Sequence, residues 1–251
     1  MVSPGGFVLV TGGSRGIGAA TARLAAEQGY DVCISYRDRA DSAQAVVANL
    51  EATGVRSLAV RADVSQEQDV VRLFATARAE LGRLMGLVNN AGVLDRQSTV
   101  ADLVAERIQR ILAVNVLGAF LCAREAVRAM STADGGLGGA IVNVSSRAAV
   151  LGGAGEYVDY AASKAAVDAL TVGLSREVAD VGIRVNAVRP GLIETEIHAS
   201  GGEPGRVGRL GPSVPMGRGG TAEEVAEAIL WLLSDKASYV TGSFLEVSGG
   251  R

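Results

Sequence analysis

Tyr160 and Lys164 stand four residues apart in a stretch, 158–179, that reads as helix. On a helix this spacing puts both side chains on one face, where they can meet a common ligand. A cation beside a phenol stabilises the phenolate, so the ammonium, joined by a positively charged bound ligand, would draw the tyrosine below its ordinary pKa of about 10 and suit it to moving a proton. Tyr157 is followed four residues on by Ala161 and has no lysine partner, which assigns it to pocket lining or an interface. A second group of residues lies near the N-terminus, where an apolar run leads into Thr11-Gly12-Gly13-Ser14-Arg15-Gly16-Ile17-Gly18 and then a helical stretch. Glycines at that junction let a phosphate reach the helix N–H groups, although the spacing departs from the G-x-G-x-x-G fingerprint.

These residues need a framework that brings them together. Short apolar runs at 7–10, 32–36, 57–60, 84–88, 140–144 and 183–188 alternate with helical stretches at 16–28, 40–53, 67–81, 100–129 and 158–179. Near-continuous apolar strands separated by helix-length crossovers predict an α/β fold, a doubly wound parallel sheet covered by helices on both faces. The run 244–247 is expected to close the sheet's edge. No charge-rich linker or fixed-period repeat divides the chain, so residues 1–251 read as a single domain. Residues 192–220 carry three prolines and eight glycines. They read as a substrate lid, the alternative being a poorly ordered surface loop, before Thr221 caps a last helix at 222–233.

At the end of the second strand stands Ser35-Tyr36-Arg37. An acidic side chain there would accept from a free ribose 2′-hydroxyl, whereas arginine matches a 2′-phosphate. Without a carboxylate at Tyr36, and with Arg37 and Arg15 able to converge, NADP is the expected cofactor. NAD stays open through Asp38, which a small shift of the strand end would bring to the ribose or pair with Arg37.

Composition narrows the chemistry further. Twenty-four Lys plus Arg against 27 Asp plus Glu give a formal net charge of -3, which argues against a nucleic-acid partner. No uncharged run approaches the roughly 20 apolar residues of a membrane span. The first residues lack the charged region of a secretory leader, making the cytoplasm the expected location. Cys33 and Cys122 read as small buried hydrophobes, and a lone histidine, His198, excludes a multi-histidine metal site. No metal is expected, and His198 itself reads as a solvated loop residue.

The glycine loop, Asp63-Val64, Asn89-Asn90-Ala91-Gly92, Asn115, Ser145-Ser146, Tyr160-Ala-Ala-Ser-Lys164 and Pro190-Gly191, in this order over nearly the whole chain, resemble the short-chain dehydrogenase/reductase family. The resemblance implies a Rossmann-like sheet and hydride transfer between nicotinamide and a small carbonyl or alcohol substrate. Tyr160 would be general acid/base, and Lys164 would lower its pKa and hold ribose hydroxyls. Ser146, in preference to Ser145, would bind the substrate oxygen, and Asn115 would order the link from Lys164 to solvent. Gly12, Ser14, Arg15, Gly16, Ile17, Gly18, Tyr36 and Arg37 would serve the phosphates and ribose. Asp63, Val64, Asn89, Ala91 and Gly92 would contact adenosine, and Pro190, Gly191, Ile193 and Thr195 the nicotinamide. The resemblance is nearest to 3-oxoacyl-reductase-like and sugar-dehydrogenase-like members and implies a homotetramer. Apolar positions in 100–129 and 161–174 exceed what one sheet face needs. The rival reading is a non-catalytic NADP-binding sensor or structural subunit, which the intact Ser146, Tyr160 and Lys164 disfavour.

Overall fold

Strand follows helix through most of the chain: β1 (Phe7–Val10), α1 (Gly16–Glu27), β2 (Asp31–Tyr36), α2 (Ala40–Glu51), β3 (Ser57–Arg61), α3 (Glu67–Leu81) and β4 (Leu84–Asn89). Then come α4 (Ala105–Leu112), α5 (Gly118–Met130), β5 (Gly139–Val144), α6 (Ala148–Leu151), α7 (Val158–Glu177) and β6 (Ile183–Pro190). The chain ends with α8 (Ile197–Ser200), α9 (Arg206–Leu210), α10 (Ala222–Leu233) and β7 (Phe244–Val247). This computed structural model describes residues 5–251; residues 1–4, on which the expectation about a secretory leader partly rests, lie outside the described residues.

The seven strands pair in the order β3-β2-β1-β4-β5-β6-β7, and each pairing is parallel. Parallel strands buried on both faces need apolar side chains in both directions, and Phe7, Val8, Leu9 and Val10 are all buried. On one face Leu73, Phe74, Leu121 and Cys122 of α3 and α5 pack over Leu9, Leu87 and Ile141. On the other, Ala22 of α1, Leu50 of α2 and Ile229 of α10 cover Val8, Ile34 and Val142. Strand order reverses between β1 and β4, which opens a crevice above their C-terminal ends. α10 starts at Thr221 with a reciprocal cap: Glu224 N–H donates to Thr221 Oγ1 at 3.2 Å, and Thr221 N–H to the Glu224 carboxylate at 2.8 Å.

The helix expected over 100–129 is interrupted. A short 3-10 turn, Val100–Asp102, precedes extended backbone at Leu103 and Val104, and a π-helical turn, Ala113–Leu117, separates α4 from α5. The wide turn places Asn115 where its amide bonds other segments. Gly118 then lets α5 approach β3's end, since a Cβ there would lie 2.7 Å from Val64 Cγ2. Residues 192–220 hold α8, α9 and a 3-10 turn rather than an unstructured loop. Their ends are stitched by a parallel bridge between Ile193 and Gly220, with Glu194 N–H donating to Gly220 O at 2.9 Å.

Candidate active site

Thr11 directly follows β1 beside β4 and ties the two strands' exits together. Its hydroxyl accepts the Asn90 and Ala91 N–H groups, both at 3.0 Å, while Asn90 Nδ2 donates to Thr11 O at 2.8 Å and Gly12 O at 3.1 Å. The glycine loop turns tightly around this anchor, with Gly12 at φ +63 and Gly16 at φ +52, where a side chain would be strained. A Cβ on Gly18 would sit 2.5 Å from Gly12 O and 2.6 Å from Asn90 Nδ2. Gly18 thus holds loop against helix and does not itself line the groove.

The groove above the switch point is lined by Gly12, Ser14, Arg15, Gly16, Ile17, Tyr36, Arg37, Asp63, Val64, Ala91, Gly92 and Thr195, all singled out from the sequence. Pro190, Gly191 and Ile193 line the adjoining pocket. Asn89 lines neither. Its amide turns inward to Ala119 O at 2.9 Å and Asn143 Oδ1 at 3.2 Å, and it is Asn90 that faces both cavities. Arg37 pairs with Asp38 at 2.6 Å, whereas Arg15 and Arg39 line the groove without an ion pair among the described residues. Arg39, passed over in the sequence, adds a third guanidinium. Backbone-rich loop, helix N-terminus and arginines fit a phosphorylated dinucleotide.

Ile17, Asn90, Gly92, Thr195 and Ile197 line the groove and also the second pocket, into which Ser146, Tyr160 and Lys164 open. Lys164 is buried, with Nζ donating to Val144 O at 2.7 Å and lying 5.7 Å from the centre of the Tyr160 ring. Burial lowers its pKa to about 8, a shift the Asp168 carboxylate partly opposes. Burial pushes the Tyr160 phenol up to about 12, against the hydrogen bond with Ser146, which works to lower it. The depressed tyrosine expected from the Tyr-Lys spacing is therefore not what this chain produces by itself: desolvation outweighs the Ser146 hydrogen bond, and Tyr160 is a protonated phenol at neutral pH.

The two serines diverge in surroundings. Ser145 is buried and donates to Lys164 O at 3.3 Å, while the Ser146 hydroxyl accepts Ala148 N–H at 3.1 Å and bonds the Tyr160 phenol. Asn115 Nδ2 donates to Val93 O and Ser163 Oγ, both at 3.0 Å, and its Oδ1 accepts Val93 N–H at 2.8 Å. A Cβ on Gly92 would lie 3.4 Å from Lys164 Nζ and 3.5 Å from Asn115 Oδ1, so the glycine lets the backbone pass close to both, with Lys164 lining the second pocket and Asn115 buried behind it.

Residues 192–220 form the pocket's outer wall through Leu192, Ile193, Thr195, Ile197, His198 and Arg206. His198 corrects the reading of it as solvated. Its Nε2 lies 3.0 Å from Ile193 O and so carries the proton, Nδ1 is buried without a partner among the described residues, and burial lowers its pKa. Tyr157 is buried with its ring 5.1 Å from the Arg206 guanidinium, which pairs with Glu156 and Glu203. Neither His198 nor Arg206 carries a local sequence signal, because both reach the pocket through the path of one irregular segment. No cluster of three or more potential metal ligands occurs among the described residues. No helix among them is long and apolar enough to cross a membrane.

Comparison with known proteins matches residues 12–251 to a family model described as Enoyl-(Acyl carrier protein) reductase. The chain is 59% identical to Uncharacterized oxidoreductase YgfF of Escherichia coli (strain K12), over 98% of this chain and 99% of that one. Among solved structures, it resembles a short chain dehydrogenase from Burkholderia cenocepacia J2315 in complex with NADP (TM-score 0.91, 35% identity, 99% and 98% of the two chains covered). It is also similar to 3-ketoacyl-(acyl-carrier-protein) reductase from Brucella melitensis complexed with NADH (TM-score 0.90, 33% identity, 98% of each chain covered).

Proposed function

Because the chain belongs to the short-chain dehydrogenase/reductase family of NAD(P)-dependent oxidoreductases, we propose that it is an NADP-dependent reductase of small ketones, or the matching alcohol dehydrogenase, with Tyr160 as the acid/base. The observation that carries this reading is the opening of Ser146, Tyr160 and Lys164 into one pocket that shares its wall with the glycine groove. When bound, NADPH supplies the hydride. The chain's own residues supply position and a proton. Ser146 Oγ holds the substrate oxygen, and the Tyr160 hydroxyl, protonated at neutral pH, donates its proton to that oxygen in reduction, while in the reverse direction it is the phenolate form that takes the alcohol proton. The Lys164 ammonium binds ribose hydroxyls, and Asn115 keeps the backbone at Val93 in place beside it.

NADP is favoured over NAD because Arg15, Arg37 and Arg39 border the groove where a 2′-phosphate would project. Asp38 already engages Arg37, which disfavours its acting as acceptor for a free ribose hydroxyl. For substrates, the first classes to try are 3-oxoacyl thioesters, since one structural neighbour is named as such a reductase, and sugars. We read residues 1–251 as one cytoplasmic domain with 192–220 as lid, working as a homotetramer without metal, nucleic-acid or membrane partners.

The test follows absorbance at 340 nm with NADPH and NADH in parallel, against acetoacetyl-CoA, 2,3-butanedione and, in reverse, glucose. NADPH-dependent turnover that disappears in Tyr160→Phe is the expected result. Preference for NADH overturns the 2′-phosphate reading, and tight NADPH binding with no turnover across a wide carbonyl panel supports the binding-only alternative.

A further inference from the structure

Two hydrogen bonds hold the backbone of Tyr160, one on each side. On the C-terminal side, Ser163 Oγ donates to Tyr160 O at 2.7 Å and is itself held by Asn115 Nδ2 at 3.0 Å. On the N-terminal side, Tyr160 N–H donates to Asp159 Oδ1 at 2.9 Å. That carboxylate is fixed by Arg107 of α4: Nε reaches Asp159 Oδ2 at 2.7 Å and Nη2 reaches Oδ1 at 3.2 Å. The third arm, Nη1, donates to Arg96 O at 2.6 Å in the segment that follows β4. Arg107 and Asp159 are both buried, at 9% and 7% exposure, within a molecule whose other ion pairs mostly lie at the surface.

A buried pair of opposite charges costs desolvation, and a well-packed apolar pair often holds a fold as well. Its geometry therefore bears on what it does here. The planar guanidinium fork fixes three objects at once: the first turn of α7, α4, and the backbone at Arg96 in the segment after β4. Lysine, a point donor, cannot span all three. We infer that Arg107 is a positioning residue that acts through Asp159 to set the Tyr160 hydroxyl against Ser146 and the substrate oxygen. This rests on the reading of Tyr160 as the proton donor. Misplacing a reacting group by about 1 Å can cost on the order of a hundredfold in rate.

The experiment compares the unaltered protein with Arg107→Lys, the double variant Arg107→Met with Asp159→Asn, and Tyr160→Phe. The double variant removes both charges, so no lone ion is left buried and the fold is preserved. The amide oxygen that Asp159→Asn introduces can still accept from Tyr160 N–H. Three quantities are read: thermal midpoint, NADPH dissociation constant by fluorescence, and kcat with 2,3-butanedione or acetoacetyl-CoA. A fourth, amide hydrogen exchange of the peptide containing Tyr160, requires no substrate. The expected result is an NADPH constant within twofold of the unaltered protein, kcat lower by about 30-fold to 100-fold in the double variant and less in Arg107→Lys, and faster exchange confined to the start of α7. A purely structural pair would lower the thermal midpoint in Arg107→Lys and leave kcat intact in the folded double variant. That outcome, or unchanged exchange at Tyr160, overturns the positioning role. Turnover surviving in Tyr160→Phe instead overturns the reading on which it rests.

Discussion

At the scale of single residues, the Tyr160 phenol and the Lys164 ammonium divide the labour by their environments. Tyr160, raised to about 12, stays protonated across the working range, so in the proposed mechanism it would donate in reduction without being primed first. Tyr160→Phe is expected to cut turnover by about 10²-fold to 10⁴-fold, the usual worth of a positioned acid. Tyr157→Phe, which removes only a hydroxyl from a buried ring under Arg206, is expected to keep kcat within a few-fold, so steady-state kinetics on the two variants separates acid from wall. The pH dependence follows Lys164. Its folded pKa of about 8 means the ammonium is present below pH 8 and lost as pH rises through it. The kcat/KM for NADPH, which reports groups of the free protein, is expected to be level near pH 7 and to decline above pH 8. A profile level to pH 10 would contradict this assignment. The pair itself was legible because a four-residue helical spacing is a local property. The direction of the tyrosine's shift was not, because desolvation of the phenol depends on the packing of the whole fold around it.

Among the elements, the junction of β1, the glycine loop and α1 shows how an unusual glycine spacing still makes a nucleotide groove. Gly18 serves by what it lacks. Gly18→Ala would drive a methyl to 2.5 Å from Gly12 O and 2.6 Å from Asn90 Nδ2, a backbone carbonyl and an amide held by its bonds to Thr11 O and Gly12 O, neither of which yields cheaply. It is expected to weaken NADPH binding by tenfold or more and to destabilise the protein by about 1–3 kcal/mol. Fluorescence titration and thermal unfolding read the two effects, and an unchanged dissociation constant would show that the loop relaxes freely. The alternation of strand and helix predicted most of these elements because apolar runs and helical stretches differ in period. Three things escaped it. Asn89 and Asn90 are neighbours of one type at a strand end, and only the pairing of Asn89 with Asn143 across β4 and β5 shows which of them turns inward. The break in 100–129 has no proline to announce it; the π-helical turn arises from Asn115's bonds to Val93 and Ser163. Arg39 follows the strand end rather than lying in it, so a search centred on Tyr36 stops short of it.

For the whole molecule, the same π-helical turn has a consequence on the outer surface. In a turn closed between residues five apart, Leu112 and Leu117 come to the same side, and Phe120 follows one further turn along α5. All three are large, apolar and exposed, at 42%, 48% and 49%, on the helices that cover the sheet. Apolar side chains scattered singly on a surface need no explanation, but a row along two consecutive helices favours association with a second copy. In a two-fold contact each residue is buried twice, so the loss from one substitution is doubled. Phe120→Arg removes about 1.5 kcal/mol of apolar burial per copy, about 3 kcal/mol per interface, which weakens association by roughly a hundredfold. Light scattering on the unaltered protein at micromolar concentration is expected to give four chain masses, and on Phe120→Arg a smaller assembly at the same concentration. Leu112, Leu117 and Phe120 line neither the groove nor the pocket beside it, so the NADPH constant should be unaffected in the variant. An unaltered protein that runs as a monomer would instead leave the row of Leu112, Leu117 and Phe120 as ordinary surface and remove the argument for a tetramer built on α4 and α5.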